Sequence, residues 1–119
     1  MDLSKVDGSV AQLRELLGDS LLALDIWSSE TGLSLTGFGM TSATGPMLQR
    51  ATADLRHAAA IAGAHLDGYH VLTLSGGVAV VVSEDQLDAA FLMPDDVDLG
   101  WVLSEVIPAF AGSLRDASA

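Results

Sequence analysis

The chain contains three histidines, the residue type that most often binds metal ions in proteins. They are His57, His65 and His70. No two of them are three or four residues apart, and neither H-x-E nor H-E-x-x-H occurs. We therefore expect these histidines to lie on the surface or on a sheet face, and we expect no metal site.

A run of acidic residues beginning at Asp95 invites comparison with a calcium-binding loop. Counted from Asp95, Gly100 takes the sixth position, as an EF-hand loop requires. The third, fifth and twelfth positions are Val97, Leu99 and Val106, none of which offers a side-chain oxygen. Negative charge at the start of a helix, where the helix dipole favours it, explains this run better than calcium does.

The sequence also offers little for covalent or acid–base catalysis. It has no cysteine, no G-x-S-x-G motif, and no phosphate-binding G-x-x-x-x-G-K-[ST] loop. Glu84 and Asp85 could act as a carboxylate pair, but we place them in a hairpin turn where charged side chains are solvated. We therefore expect no enzyme activity and no cofactor.

The charge balance narrows the range of partners. Sixteen Asp and Glu residues face five Lys and Arg residues, which gives a formal net charge of −11. This charge repels phosphate backbones and anionic membrane surfaces, so we expect neither nucleic-acid binding nor membrane association. The longest apolar stretch, 71–82, is interrupted by Thr73, Ser75 and two glycines, and no signal peptide is visible. We expect a cytoplasmic protein.

Length and hydropathy favour one domain that associates with itself. The 119 residues suit a single domain covering 1–119. Half of the residues are apolar, which is more than so short and acidic a chain can easily bury alone. Exposed apolar surface usually marks an interface, so we expect an oligomer.

Periodicity and turn residues predict an α+β fold with the element order α-β-β-α-β-β-β-α. The predicted helices cover 4–17, 46–66 and a last segment opening at 94–96, and the predicted strands cover 21–27, 33–38, 69–74, 78–82 and 87–93. Ser9 is a candidate N-cap for the first helix, and Gly18 a left-handed C-cap. Pro108 should kink or split the last helix, and the tail after Arg115 should be frayed. Both tryptophans, Trp27 and Trp101, are expected in the core.

The first hairpin carries the most specific local pattern. It reads Leu24-Asp25-Ile26-Trp27, then a polar turn ending in Gly32, then Leu33-Ser34-Leu35. Together with the element order, this hairpin resembles the Roadblock family, which includes dynein light chains. Ser34 stands where the family commonly has proline. The resemblance implies a five-stranded antiparallel sheet with helices on both faces.

The resemblance also implies a mode of assembly and a partner. Roadblock domains pair through the middle helix and the following strand, and bacterial members regulate or scaffold small Ras-like GTPases. In this chain the middle helix is alanine-rich, and small residues permit close approach of another helix. The predicted dimer or partner interface consists of Met47, Arg50, Ala51, Leu55, Ala58, Ala62, Tyr69, Val71 and Thr73.

Two other functional classes remain as alternatives. A small acidic dimeric secretion chaperone has a similar length, but such proteins usually place three strands before the middle helix and two after it. A ligand-sensing domain of the profilin or longin kind would need converging polar residues, and the sequence does not indicate such a set.

Overall fold

A computed structural model of the chain describes residues 1–39, 44–63 and 68–119. Its element order confirms the predicted α+β fold. The helices and strands are α1 (Leu3–Leu17), β1 (Ala23–Ser28), β2 (Ser34–Phe38), α2 (Thr44–Ile61), β3 (Tyr69–Leu74), β4 (Gly77–Glu84), β5 (Leu87–Pro94), α3 (Leu99–Trp101) and α4 (Ile107–Ser118). No helix in the described ranges is long and apolar enough to cross a membrane.

The five strands form one antiparallel sheet in the order β2-β1-β5-β4-β3. Strand β1 lies inside the sheet, as its nearly continuous apolar sequence predicted, and β2 and β3 are the edges. Leu24 and Ile26 of β1 enter the larger core on one face, while Trp27 packs on the other face. Ser34, at the position of the family's proline, donates its hydroxyl hydrogen to Asp25 and helps to hold the β1–β2 hairpin.

Helices α1 and α4 cover one face of the sheet and enclose the larger core. Leu13 of α1 and Phe110 of α4 are fully buried there. Phe110 meets Phe91 of β5 edge to face, with ring centroids 5.6 Å apart. This arrangement of aromatic rings is the one that their quadrupoles favour.

Helix α1 starts earlier than its expected cap. Asp2 is the N-cap, and its carboxylate accepts hydrogen bonds from the backbone of Ser4 and Lys5. The prediction that Ser9 caps this helix is wrong, because Ser9 lies within the helix and is fully buried. Gly18 ends the helix with φ of +54° as expected, but its ψ of −128° lies outside the left-handed helical region.

The last helical segment is split, as Pro108 predicted. A π-helical stretch, Val102–Val106, separates α3 from α4. Pro108 has no N–H to offer the carbonyl of Ser104, so the regular hydrogen-bond pattern is broken at this point. The segment begins at Leu99 rather than at 94–96, because Asp98 is the N-cap and accepts from the N–H of Trp101.

Two expectations about the C-terminal part of the chain are wrong. The tail after Arg115 is not frayed, since α4 continues to Ser118 and both Ala117 and Ser118 are buried. The N–H of Asp2 also donates to the carbonyl of Ala117. Trp101 is not a core residue, because 37% of its surface is exposed, whereas Trp27 is buried as expected.

Candidate functional site

Helix α2 contacts the second face of the sheet along one side. Among the α2 side chains that the structure describes, Thr52 is buried and Leu48 and Ala59 are half-buried. Leu48 packs against a small cluster formed by Trp27, Val81 and Ala90. With Arg56, these side chains recur every three or four residues, which places them on one side of the helix.

A hydrogen-bonded pair joins α2 to the edge strand β3. The hydroxyl of Thr52 donates to the carbonyl of Leu48 at 2.8 Å, and its oxygen lies 3.5 Å from Nε2 of His70. The hydroxyl of Thr52 is thus in contact both with its own helix and with the imidazole ring of His70.

An ion pair joins α2 to the central strand β5. The guanidinium of Arg56 lies 3.6 Å from the carboxylate of Asp88, which is 4% exposed. Desolvation lowers the pKa of His70, Arg56 lowers it further, and Asp88 acts in the opposite direction. We refer to Thr52, Arg56, His70 and Asp88 as the polar cluster.

The helix residues of the predicted interface lie on the outer surface of α2. We call this set the docking flank, and its members, all exposed, are Met47, Arg50, Ala51, Leu55, Ala58 and Ala62. Met47 is 69% exposed and Leu55 is 42% exposed. Except for Arg50, the residues of the docking flank lie on one side of α2. The centre of that side is roughly a quarter of a turn around the helix axis from the side that contacts the sheet. Ile61, which is 75% exposed, was missed by sequence reasoning because it does not share the spacing of this stripe.

The strand residues of the predicted interface lie on the other face of the sheet from α2. Val71 packs against the larger core, and Tyr69 and Thr73 share its face by alternation. His70, Leu72 and Leu74 are the β3 side chains on the α2 face, and none of them belongs to the predicted interface. The structure therefore does not bring the two predicted sets onto one face, and the edge of β3 separates them. Their role in an interface remains a prediction.

A polar cleft of about 290 Å³ opens at the end of the sheet beside α2. It is lined by Ser29, Arg56, Gly68, Ser83, Glu84, Asp85 and Asp88. The expectation that Glu84 is simply solvated is wrong, because its carboxylate accepts two hydrogen bonds from Arg115, at 3.2 and 3.1 Å. This pairing raises the pKa of Arg115. The carboxylate of Glu84 is therefore engaged in structure.

Within residues 1–39, 44–63 and 68–119, no group of three or more His, Asp or Glu side chains could hold a metal ion. His57 is exposed on α2, and His65 lies outside the described residues. Asp95 and Asp96 are exposed, and Asp98 caps α3.

Among the described residues, two buried side-chain atoms near α2 have no hydrogen-bond partner in the protein. They are the indole nitrogen of Trp27 and the hydroxyl oxygen of Ser29. Buried polar atoms are nearly always paired in folded proteins, with protein groups or with ordered water.

No protein-family model matches the sequence, and no curated protein is significantly similar to it. Solved structures with the same fold do exist. Myxococcus xanthus MglB superposes with a TM-score of 0.79 at 11% identity, covering 96% of this chain and 87% of MglB. The gliding protein MglB from Thermus thermophilus gives 0.77 at 10% identity, covering 97% and 89%. A Roadblock/LC7 domain from Streptomyces avermitilis gives 0.65 at 17% identity, covering 89% and 91%. At these identities the similarity concerns the fold.

Proposed function

Because the chain folds as a Roadblock-like domain, we propose that it is a non-enzymatic, homodimeric docking module whose partner is a small Ras-like GTPase. The observation that carries the proposal is the exposed docking flank beside an edge strand. Met47 and Leu55 present apolar surface on α2, and in the described part of the chain β3 pairs only with β4.

The energetics favour covering the docking flank. Full burial of a Leu or Met side chain contributes roughly 1.5–3 kcal/mol. The alanines Ala51, Ala58 and Ala62 between the larger residues allow a second helix to approach closely. A free edge strand is also a ready site for pairing with another strand. A second copy of the chain would meet both requirements, with its α2 against the flank and its β3 along the edge.

The function of such a dimer would be geometric. Two copies joined at β3 would extend the five-stranded sheet into one continuous sheet and present a composite surface. A GTPase that binds this surface better in one conformation of its switch loops would be shifted toward that conformation. The GTPase as partner comes from the Roadblock resemblance, and the cytoplasmic location remains a prediction from the sequence.

The order of strands argues against the secretion-chaperone alternative. Two strands precede α2 and three follow it, whereas those chaperones usually have three and then two.

The homodimer is tested by size-exclusion chromatography with light scattering over a range of protein concentrations. Ala58→Glu places a charge on the docking flank, and Ala53→Glu makes the same change at an exposed position roughly on the opposite side of α2. We expect Ala58→Glu to weaken the dimer at least about tenfold, or roughly 1.4 kcal/mol, and Ala53→Glu to leave it unchanged. A monomeric parent protein at high concentration would exclude the homodimer.

The partner is tested by a pull-down with a Ras-like GTPase encoded beside this gene, loaded with GDP or with a GTP analogue. We expect one nucleotide state to bind more strongly, and we expect Ala58→Glu to reduce that binding. Failure in both states would exclude that GTPase, even if the chain is a dimer.

A further inference from the structure

We propose that the polar cluster makes the attachment of α2 to the sheet sensitive to protons, so that acidification releases the helix that carries the docking flank. The release itself is a property of this chain alone. Its consequence for docking rests on the proposed function.

The side chains of α2 that the structure describes bury little apolar surface against the sheet. Among them, Leu48 packs against the Trp27 cluster, Thr52 is buried and Ala59 is half-buried. Helices α1 and α4, in contrast, share a continuous core of leucines, valines and phenylalanines with the sheet. Because apolar burial is the main stabilising contribution in folding, the polar cluster is a substantial part of the described attachment of α2.

His70 lies on the α2 face of β3, where Nε2 of its ring is 3.5 Å from the hydroxyl oxygen of Thr52 on α2. Arg56 of α2 and Asp88 of β5 are the charged groups that act on it, and β4 contributes the uncharged Val81 at the paired position. Protonation of His70 would create an imidazolium near a guanidinium in a partly desolvated place.

The direction of the effect follows from this environment. Desolvation and Arg56 together lower the pKa of His70 in the attached state, against the opposing effect of Asp88. A histidine freed into water binds a proton more readily, so acid favours the released state. Each unit by which attachment lowers this pKa raises the ratio of released to attached helix about tenfold, once the pH is below the lowered value.

Trp27 lies beneath α2, where it packs with Leu48 in the small cluster. When the helix separates, the indole ring of Trp27 becomes accessible to water. The same tryptophan therefore provides a direct optical probe of the event.

The experiment uses the full chain with Trp101→Phe, which leaves Trp27 as the single tryptophan. Emission and acrylamide quenching are followed from about pH 7.5 to about pH 5.5, the range in which histidines change charge. We expect a red shift and stronger quenching as the pH falls.

His70→Gln, which keeps an N–H donor for Thr52 but cannot titrate, should abolish the response, and His57→Gln should preserve it. A flat response in the parent, or an unchanged response in His70→Gln, would overturn the proposal.

Arg56→Gln tests the role of the cluster rather than that of the histidine alone. Without the guanidinium, His70 accepts its proton more easily, so the midpoint of the response should move to higher pH. An unmoved midpoint would contradict the assigned role of Arg56.

Light scattering on the same samples separates this proposal from the proposed function. A pH-dependent Trp27 signal in a chain that is monomeric at every pH would support the release of α2 and exclude the homodimer. A chain that is dimeric at every pH and whose Trp27 signal does not change with pH would support the homodimer and overturn the release of α2.

Discussion

The hydroxyl of Ser113 on α4 lies 2.5 Å from the hydroxyl of Ser9 on α1. Ser9 is fully buried and donates its own hydrogen to the carbonyl of Lys5 at 3.1 Å. This contact joins the two helices beside the apolar core.

The serine pair predicts an asymmetric mutational pattern. Ser113→Ala removes one hydrogen bond and should cost about 1 kcal/mol, whereas Ser9→Ala strands the half-buried Ser113 hydroxyl and should cost about 1–3 kcal/mol. The double variant should be no less stable than Ser9→Ala, because no hydroxyl is then left without a partner. Urea denaturation of the three variants measures these differences, and strictly additive losses would contradict a hydrogen bond between the two serines.

Two glycines should respond in opposite ways to alanine. Gly39 has φ of +77°, and an added Cβ would lie 2.7 Å from the carbonyl oxygen of Leu22. Gly39→Ala should therefore destabilise the fold by roughly 1–3 kcal/mol. Gly8 lies within α1 with no atom within 4 Å of such a Cβ, so Gly8→Ala should stabilise by roughly 0.5–1 kcal/mol. Thermal and urea unfolding of both variants test the pair, and equal effects would be inconsistent with this geometry.

The end of α4 should contribute measurably to stability. Ser118 accepts a hydrogen bond from the N–H of Gln86 at 2.8 Å and donates to the carbonyl of Glu84 at 3.3 Å. Ser118→Ala would leave buried partners unpaired, at a cost of about 1–3 kcal/mol. The exposed Ser104 is the matched control, and Ser104→Ala should change the free energy of unfolding by less than about 0.5 kcal/mol. Equal free energies of unfolding for the two variants would indicate that the end of α4 is frayed.

His70 should contribute a fall in the free energy of unfolding as the pH drops through the range in which it titrates. The pKa of His70 is lowered in the folded protein, so the unfolded chain binds this proton more readily. The contribution of neutral His70 is complete above the unfolded pKa of about 6.5 and is lost as the pH falls toward the folded value. The free energy of unfolding of His70→Gln, measured by urea titration at several pH values, should depend less on pH than that of the parent. A His57→Gln variant should keep the parental slope, and an identical slope in His70→Gln would refute this linkage.

Local pattern was sufficient to predict the fold. Strand β3 has the predicted bounds, and β1 is covered on both faces as its apolar sequence required. The failures concern partners that are distant in the chain. Ser9 resembles a cap in sequence, but its burial depends on Ser113, and the order of Ser118 depends on Gln86. Trp101 is partly exposed because its neighbour Val102 occupies the buried side of the helix at this point.

The candidate site was predictable only in part, for a similar reason. The docking flank follows from spacing along α2, which is a local property. The polar cluster forms because α2 crosses β5 and β3. The order of the strands along the chain does not predict that β5 lies between β1 and β4 in the sheet. Alternation along β3 predicts that Tyr69 and His70 point to opposite faces of the sheet, but it does not predict which of these faces α2 covers.

The π-helical stretch before Pro108 has a consequence for chain length. The N–H of Ile107 bonds to the carbonyl of Val102, five residues back, where a regular α-helix would use four. Val102–Val106 thus behaves as a helix that has absorbed one extra residue. Deleting one of the residues 103–105 would turn this bond into an ordinary α-helical one while Val102 and Ile107, both buried, kept their places. We therefore expect the fold to tolerate deletion of one residue within 103–105 better than a polar substitution at Val102 or Ile107.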